Sequence, residues 1–266
     1  MARQHGRPAT FLGTLVLGAT IACGQGSSAP AAAPPSPRAY RYEVLASFPH
    51  DPGAFTEGLV LDGDQAYEST GSFNGTSSLR EIDLRSGAVL RRFDLAPEYF
   101  GEGLTVMGDR LIQLTWKSQK GFVYDRHTLQ RTAEFSYAGE GWGLTHDADS
   151  LIMSNGSDEL RFLDPASFAV RHSIRVRDGA RPVSGLNELE LVDGEVYANV
   201  FPSNEIVRIN PRSGSVTGRI DMSGLLATPR DPNAVLNGIA HDPRSNRLYV
   251  TGKLSARLYE VRLIAR

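Results

Sequence analysis

The stretch that decides the fold is GEGLTVMGDRLIQLTW, residues 101–116, because versions of it occur five times along the chain. Each version has a short polar motif, an apolar run, a turn and a second β-rich run. The other copies are TEGLVLDGDQAYESTG (56–71), GWGLTHDADSLIMSNG (141–156), LNELELVDGEVYANVF (186–201) and LNGIAHDPRSNRLYVTGK (236–253). Equivalent residues of successive copies lie 45, 40, 45 and 52 positions apart, a period typical of propeller blades and other repeat arrays.

Each repeat contains four short strand candidates. Apolar and polar residues alternate with a period of two, and β-branched and aromatic residues are frequent, which favours strands over helices. Third strands are predicted in SSLREIDL (77–84), GFVYDR (121–126), ELRFLD (159–164), EIVRIN (205–210) and ARLYEVRL (256–263), and fourth strands in runs such as VLRRFDL (89–95). Four strands per repeat predict an all-β, five-bladed β-propeller over residues 40–266.

The N-terminal strand is expected to close the ring. The fifth copy has only three strands, whereas AYRYEVLASF (39–48) supplies a strand with no hairpin partner of its own. Pairing this strand with the fifth repeat would leave no exposed inner edge and favours five blades over four or six. A β-helix is the alternative repeat architecture, but its repeats are much shorter.

The first residues resemble an export signal. MARQHGRPATFLGTLVLGATIAC (1–23) has two arginines, an apolar run too short for a stable membrane anchor, and then Cys23, the only cysteine. We therefore predict a signal peptide over residues 1–22, lipidation of Cys23 in a lipobox-like TIAC, and a periplasmic or cell-envelope location. Simple secretion is the alternative. The Gly/Ser/Ala/Pro-rich residues 23–39 are predicted to be a disordered tether.

The composition argues against a nucleic-acid partner. Hydrophobic residues make up 41% of the chain and charged residues 22%, as in ordinary globular proteins. Without the two arginines of the predicted signal, 26 basic residues face 30 acidic ones, a net charge of −4. No basic stripe remains for nucleic acid. Contact with a membrane is expected only through the lipid anchor, and the short blade edges favour a monomer.

Equivalent positions of the five copies must face the same axis of a propeller. The position of Glu102 is occupied in the five copies by Glu57, Glu102, Trp142, Asn187 and Asn237. The last residue of the second strand gives a further set: Gly71, Trp116, Gly156, Phe201 and Lys253. Two residues before the first set lie Phe55 and Phe100. The repeat thus predicts carboxylates, carboxamides, a lysine and aromatic rings around one opening.

The two glycines around Glu102 suggest a crowded axis. Gly101 and Gly103 are expected to allow close backbone approach and unusual dihedral angles. Each residue type also has a purely structural explanation. The glycine after an acid can reflect blade geometry, the aromatic residues can be core, and the asparagines can satisfy buried backbone groups. A lysine after an apolar strand can be an ordinary solvated side chain.

Two other classes of function are compatible with this pattern. Glu57, Asn187 and Asn237 resemble the oxygen ligands of calcium-dependent propeller lactonases, because hard divalent cations prefer oxygen donors. A non-catalytic propeller that binds protein on one face is the third hypothesis, and it predicts an exposed apolar patch instead of a deep pocket. The histidines are scattered and one cysteine is present, so no zinc motif is predicted.

Many short motifs, in order, resemble the plant and bacterial type of glutaminyl-peptide cyclotransferase. The resemblance extends from about Phe48 to Leu263 and is carried by HDPGAFTEGL, YESTG, FGEGLT, QLTWKSQKGFVYD, EGWGLT, LNELE, YANVF, VLNGIAHD and RLYVTGKL. It implies a five-bladed propeller that converts N-terminal glutamine to pyroglutamate and releases ammonia. The expected partners are peptides or proteins with N-terminal glutamine. No cofactor is required, while a structural calcium ion in the channel is left open.

The resemblance also implies roles for individual residues. The catalytic glutamate falls on Glu102, and substrate-binding positions are carried by Phe55, Phe100, Trp116, Trp142, Asn187 and Lys253. Two substrate-binding positions depart from the family pattern, because Glu57 stands where glutamine is common and Phe201 where tryptophan is common. One carboxylate can accept a proton from the substrate ammonium and return it to the leaving nitrogen. Aromatic enclosure is expected to raise the pKa of Glu102, and a charged Glu57 would add to the rise.

Overall fold

The structure is a computed structural model and describes residues 1–3, 6, 9–10, 13, 36–62, 65–226 and 231–266. Internal contacts separate Met1–Ala33 from Pro34–Arg266, and the account below concerns the second segment. Cys23 and most of the predicted signal peptide and tether lie outside the described residues. Those predictions are therefore carried forward as predictions.

All regular structure in the described residues is β-strand, as the alternating pattern predicts. The chain begins with β1 (Arg38–Pro49), and four strands follow for each of the first four repeats. Unit 1 contains β2 (Thr56–Asp62), β3 (Gln65–Thr70), β4 (Ser78–Ile82) and β5 (Val89–Asp94). Unit 2 contains β6 (Gly101–Met107), β7 (Arg110–Thr115), β8 (Lys120–Asp125) and β9 (Arg131–Ser136).

The remaining units follow the same plan, with one addition. Unit 3 contains β10 (Leu144–His146), β11 (Leu151–Ser154), β12 (Glu159–Leu163) and β13 (Val170–Arg175). A short hairpin, β14 (Arg177–Asp178) and β15 (Arg181–Pro182), comes next and was not predicted. Unit 4 contains β16 (Leu186–Val192), β17 (Glu195–Val200), β18 (Glu205–Ile209) and β19 (Val216–Asp221). Unit 5 contains β20 (Leu236–Asp242), β21 (Arg247–Gly252) and β22 (Arg257–Ala265).

β1 joins the last two units. It pairs antiparallel with β22, from Tyr40 opposite Ala265 to Pro49 opposite Arg257. It also pairs in parallel with β19, so the eight-stranded sheet has the order β16-β17-β18-β19-β1-β22-β21-β20. The predicted pairing of the N-terminal strand with the fifth repeat is confirmed. The parallel pairing with unit 4 was not predicted, and β1 begins two residues before the predicted boundary at residue 40.

The first strands of the five units lie next to one another in a closed order. β2 contacts β6 and β20, β10 contacts β6 and β16, and β16 contacts β20. Five separate clusters of buried apolar side chains lie between neighbouring units, one for each pair around this circuit. Each unit therefore buries both faces of its sheet against its neighbours. This explains why the first strand of each unit, called the inner strand below, is apolar with little exposed surface.

The glycines beside the acid are required by close approach. A Cβ atom on Gly103 would lie 2.5 Å from the backbone oxygen of Trp142 and 2.5 Å from the nitrogen of Leu144. The equivalent Gly58 would place a Cβ 2.6 Å from the nitrogen of Leu104. The expectation of unusual dihedral angles at these glycines is wrong, because neither Gly101 nor Gly103 has a positive φ. A side chain is excluded here because the first strands of neighbouring units are in contact, and not because the glycine has a special backbone conformation.

Among the described residues, no helix long and apolar enough to cross a bilayer is found.

Candidate functional site

A cavity of about 270 Å³ opens where the inner strands begin. All nine side chains that the sequence assigned to the reaction or to substrate binding line it, together with two that it did not assign. The lining residues are Phe55, Glu57, Phe73, Phe100, Glu102, Trp116, Trp142, Asn187, Phe201, Asn233 and Lys253. The volume is small for a ligand pocket, which suits a single amino-acid side chain with its terminal amine.

Irregular pairing at the start of the inner strands directs the polar side chains into this cavity. The register of β2 against β3 shifts between Thr56 and Gly58, at Glu57. Similar shifts occur at Glu102 in β6, at Asn187 in β16 and at Asn237 in β20. Such bulges turn a side chain away from its regular alternation and recur next to active sites. The chain therefore repeats one local distortion in four of the five units.

Both carboxylate oxygens of Glu57 accept hydrogen bonds within the cavity wall. Its side chain is buried, and Oε1 accepts a hydrogen bond from Nζ of Lys253 at 2.6 Å. Oε2 accepts a second bond at 3.1 Å from Nδ2 of Asn237, which also donates to the backbone oxygen of Thr56. Burial raises the pKa of Glu57, while the Lys253 ammonium opposes that rise. The contacts of Lys253 and Asn237 thus favour the ionised form of Glu57.

Glu102 has the opposite balance of surroundings. Burial raises its pKa well above the ordinary value for glutamate, and the neighbouring Glu57 carboxylate raises it further. Lys253 partly opposes this shift. The two carboxyl groups lie within hydrogen-bonding range of each other. The contacts of Lys253 and Asn237 with Glu57 favour the proton on Glu102 over Glu57 when the pair holds one proton.

Aromatic rings form one side of the cavity. The ring centroid of Phe100 lies 5.9 Å from that of Phe55, 4.9 Å from that of Phe73 and 5.6 Å from that of Trp116. Gly71 makes this packing possible, because a Cβ there would lie 2.0 Å from the Phe100 ring. The glycine in the second set of equivalent positions thus leaves space for a ring from the next unit.

The opposite side is formed by Trp142 and Phe201, whose rings meet edge to face at 5.8 Å. A Cβ on Gly156 would lie 2.7 Å from the indole of Trp142, so this glycine also makes room for a ring. Lys253 places its ammonium 4.7 Å from the ring centre of Phe55 and 5.6 Å from that of Phe201. The ammonium is therefore held by a carboxylate and by two aromatic faces.

Asn187 presents an unused acceptor. Its side chain is buried at the cavity wall, and its Oδ1 atom has no hydrogen-bond partner among the described residues. A buried polar atom without a partner is costly, and such atoms often mark places where a ligand completes the hydrogen bonding. The Oδ1 atom of Asn237 also lacks a partner among the described residues, but the amide nitrogen of Asn237 is bonded within the protein and its side chain does not line the cavity.

Phe73 and Asn233 are cavity residues that sequence reasoning missed. Phe73 is 70% exposed, and its ring contacts Phe55, Phe100 and Trp116 at the rim. It lies in the loop between β3 and β4, outside the repeated motif, so equivalence between copies did not identify it. An aromatic residue beside the turn residues Asn74 and Gly75 was the only available signal. Asn233 follows residues 227–230, which are outside the described part of the chain.

In the described residues, no group of three or more His, Cys, Asp and Glu side chains is arranged to hold a metal ion. Of the three oxygen ligands proposed for a lactonase, Glu57 is already bonded within the protein, whereas Oδ1 of Asn187 and of Asn237 has no partner among the described residues. Glu57 is paired with an ammonium, and Asn237 points its nitrogen at Glu57. A lysine at 2.6 Å occupies the place that a cation would take beside this carboxylate.

Comparisons with known proteins give a consistent result. Residues 16–263 match the family described as glutamine cyclotransferase. The chain is 44% identical over 234 residues to the glutaminyl-peptide cyclotransferase of Arabidopsis thaliana, covering 86% of this chain and 73% of that protein. It is also similar to the crystal structure of Myxococcus xanthus glutaminyl cyclase, with a TM-score of 0.82 and 38% identity. That match covers 86% of this chain and 99% of the solved one.

Proposed function

Because the chain belongs to the glutamine cyclotransferase family, we propose that it converts the N-terminal glutamine of peptides or proteins to pyroglutamate and releases ammonia. The observation that carries this proposal is the buried pair of carboxyl groups in an aromatic cavity of single-residue size. One carboxyl group, Glu102, has a pKa raised by burial and by the neighbouring Glu57, which suits a group that both accepts and returns a proton.

The proposed architecture is a five-bladed β-propeller. Five units of four strands support it, with β1 serving as the fourth strand of unit 5. The closed order of inner strands and the five apolar clusters between neighbouring units support the same arrangement. A crystal structure with four or six radial sheets would contradict it.

The proposed reaction begins with transfer of a proton. The substrate enters with an α-ammonium group, whose ordinary pKa is about 7.7–8.0. Its positive charge favours the ionised form of Glu102, so Glu102 releases its own proton to solvent as the substrate binds and then takes a proton from the nitrogen. Because the pKa of Glu102 is raised, this transfer costs less free energy than transfer to a glutamate of ordinary pKa. A glutamate with an ordinary pKa would be a much weaker base for this step.

Cyclisation and release follow from the same carboxyl group. The neutral amine attacks the γ-carbonyl carbon of its own side chain and forms the new C–N bond. Glu102 then donates its proton to the amide nitrogen, the old C–N bond breaks, and ammonia leaves, after which the ionised Glu102 takes the surplus proton from the new ring nitrogen. The aromatic walls hold the side chain folded, so amine and carbonyl start close together.

Lys253 and Asn187 are the proposed partners of the γ-carbonyl and its leaving amide. One donor of the Lys253 ammonium is bonded to Glu57, and an ammonium has three. A remaining donor can stabilise negative charge that develops on the carbonyl oxygen. The unused Oδ1 of Asn187 can accept a hydrogen bond from the substrate amide. Glu57 holds Lys253 in place for this role.

A direct test uses mass spectrometry. A peptide beginning with glutamine should lose the mass of one ammonia molecule when incubated with the protein. Matched peptides with an acetylated N-terminus, or with the glutamine moved to the second position, should be unchanged because no α-amine faces the γ-carbonyl. Failure to convert the first peptide, or equal conversion of all three, would contradict the proposed function.

The lactonase and interaction-module hypotheses make different predictions. Lactone hydrolysis that a chelator abolishes would favour a calcium enzyme, and inactivity on both substrates would favour a binding module. The pairing of Glu57 with Lys253 argues against the first, and a cavity lined by the buried Glu57 and Glu102 argues against the second. Metal analysis of the purified protein tests whether a structural calcium ion is bound elsewhere in the channel.

We further propose export and lipid anchoring through Cys23, on the sequence pattern alone. The protein should then fractionate with membranes, and Cys23→Ser should release it into the soluble envelope fraction. Unchanged fractionation of Cys23→Ser would contradict the anchor. We also propose a monomer, which light scattering of the protein without residues 1–22 tests.

A further inference from the structure

One carboxylate outside the repeated motif holds both tryptophans of the protein. Glu140 lies between β9 and β10, and its Oε2 atom accepts a hydrogen bond from Nε1 of Trp116 at 2.8 Å. The same oxygen accepts a bond from Nε1 of Trp142 at 2.9 Å. Trp116 and Trp142 come from units 2 and 3 and line the cavity that also contains Glu102. Glu140 thus connects two walls of that cavity.

The connection is specific in geometry. An indole has a single hydrogen-bond donor, so Glu140 uses the only polar handle of each ring. Bonds to an ionised acceptor are stronger than neutral ones, which favours one orientation of each indole. The face of Trp116 is also covered by the Lys117 ammonium, 3.8 Å from the ring centre. The backbone supports this arrangement, because the Gly141 nitrogen donates to the Trp116 oxygen at 3.0 Å.

Glu140 also acts on Glu102 by its charge. The groups that face Glu102 are Glu57 from β2, Lys253 after β21, Glu140 before β10 and Tyr137 after β9. Glu57 and Glu140 raise the pKa of Glu102, whereas Lys253 lowers it. Tyr137 is neutral in the working pH range, because burial raises its pKa to about 12. Glu140 is therefore the second anionic neighbour of Glu102, beyond Glu57.

We propose that Glu140 is a positioning residue, which fixes the two indoles around the substrate's glutamine side chain and adds negative charge beside Glu102 for the entering α-ammonium. This inference rests on the proposed function and deepens it. Neither the repeat equivalence nor the pattern of cavity-lining positions identifies Glu140, because it lies outside the repeated motif and does not line the cavity. Its role is to set the shape of the cavity and the protonation of Glu102.

Three substitutions separate the two effects. Glu140→Gln keeps an oxygen that can accept from both indoles but removes the charge. Glu140→Ala removes both. Glu134→Ala is the matched control, because Glu134 is an exposed glutamate of β9 that pairs with Lys120 on the surface. Steady-state kinetics on a Gln-peptide, a pH profile of kcat/KM and tryptophan emission should be measured for each variant.

Tryptophan emission reports directly on the inference, because Trp116 and Trp142 are the only two tryptophans. In Glu140→Ala the emission should change and KM should rise about tenfold, since two bonds to an ionised acceptor are lost. Glu140→Gln should keep the emission and move the acidic limb of the kcat/KM profile to lower pH. Glu134→Ala should match the wild type in all three measurements.

The outcomes that overturn the proposal are equally specific. Wild-type emission together with wild-type KM in Glu140→Ala overturns it. If Glu140→Ala does not fold, Glu140→Gln decides, and an acidic limb that does not move overturns the proposal. Absence of activity in the wild-type protein would instead count against the proposed function, while the emission of the Glu140 variants would still test the clamp on the indoles.

Discussion

Glu57 and Glu102 occupy equivalent positions of neighbouring repeats but have different surroundings. Glu57 accepts hydrogen bonds from an ammonium and an amide, which stabilise its charge. Glu102 is equally buried and faces the charge of Glu57, so it holds a proton more tightly. A pair of carboxyl groups whose surroundings separate their pKa values can divide the work between a charged anchor and a proton carrier.

Glu102→Gln should abolish turnover with little effect on the fold. A carboxamide has the shape of the protonated acid but cannot carry the proton, so kcat should fall by a factor of about 10² to 10⁴. The melting temperature should stay close to that of the wild type, because the folded protein already holds Glu102 in its neutral form. Steady-state kinetics and calorimetry check both parts. Retention of a large share of the activity would remove Glu102 from its role.

Glu57→Gln should move the acidic limb of the pH profile downward. Removing the neighbouring negative charge, and replacing a carboxylate acceptor by a weaker amide oxygen, lowers the pKa of Glu102. The basic form of Glu102 is then available at lower pH. The kcat/KM profile of Glu57→Gln should be compared with that of the surface variant Glu134→Gln. An unmoved or upward-shifted limb in Glu57→Gln would contradict the prediction.

Phe73→Ala should weaken substrate binding more than it slows the reaction. Phe73 covers the rim and contacts three rings, but no group that carries a proton. An aromatic contact of this kind is worth about 0.5–1.5 kcal/mol, so KM should rise roughly two- to tenfold with kcat nearly constant. Leu90→Ala is the control, because Leu90 is also an exposed apolar residue but lies on β5. A change in kcat without a change in KM would argue against a rim contact.

At the level of elements, the start of each inner strand is the important feature. A regular strand would alternate its side chains between the two faces of the sheet. The register shift at the strand start redirects Glu57, Glu102, Asn187 and Asn237. Next to the shift, glycine allows the neighbouring inner strand to approach within contact of the backbone. The same few residues of each repeat thus set both the direction of the polar side chain and the close approach of the neighbouring strand.

Gly103→Ala should destabilise the fold and lower activity together. The added methyl group would overlap backbone atoms of Trp142 and Leu144, which cannot move away as a flexible side chain would. Overpacking of this kind costs about 1–3 kcal/mol, and it would displace β6 beside Glu102. Gly53→Ala is the control, because its nearest neighbour is a side-chain atom at 3.3 Å. Thermal unfolding and kinetics that are unchanged in Gly103→Ala would contradict the close approach.

At the level of the whole molecule, buried acids tie the units together across the axis. Glu188 on β16 accepts a backbone bond from Ile239 of β20 at 2.8 Å and a longer one from Leu59 of β2 at 3.4 Å. Glu190, two residues later, accepts from the backbone of His241 at 2.9 Å. β1 adds a second connection between units 4 and 5 at the outside. The ring is therefore held at its centre and at its rim.

Glu190 should make the stability of the fold depend on pH. Burial raises its pKa to about 8, although backbone bonds from His241 and Leu191 oppose the rise. The folded protein keeps this proton up to about pH 8, whereas the unfolded chain releases it near its ordinary value of 4.5. Its contribution to stability is therefore complete below pH 4.5 and is lost as pH rises toward 8.

In Glu190→Gln this loss should disappear, because a carboxamide does not titrate. The free energy of unfolding of the wild type should fall relative to the variant by up to a few kcal/mol across that range. Denaturant unfolding at several pH values measures the difference. A difference between wild type and variant that does not change with pH would contradict the raised pKa of Glu190.

Sequence equivalence predicted much of the site because the repeats make position informative. Residues in equivalent places, such as Glu57, Glu102 and Asn187, lie at one cavity as the repeat requires. Phe73 and Glu140 were not predicted as site residues, because both lie in connections between strands, whose path is not determined by a repeated strand. The β14–β15 hairpin escaped for the same reason, since it is an insertion between units 3 and 4.

By itself, the sequence determined that the chain is built of β-strands in five repeats, and which repeated positions would meet. Periodicity and equivalence are local properties of the chain, so they can be read without coordinates. Only the tertiary structure decided how the surroundings of the two carboxyl groups differ, that the glycines serve close contact without positive φ, and that one glutamate holds both indoles. These outcomes depend on distances between residues far apart in sequence, because charge, burial and contact arise only when separate strands come together.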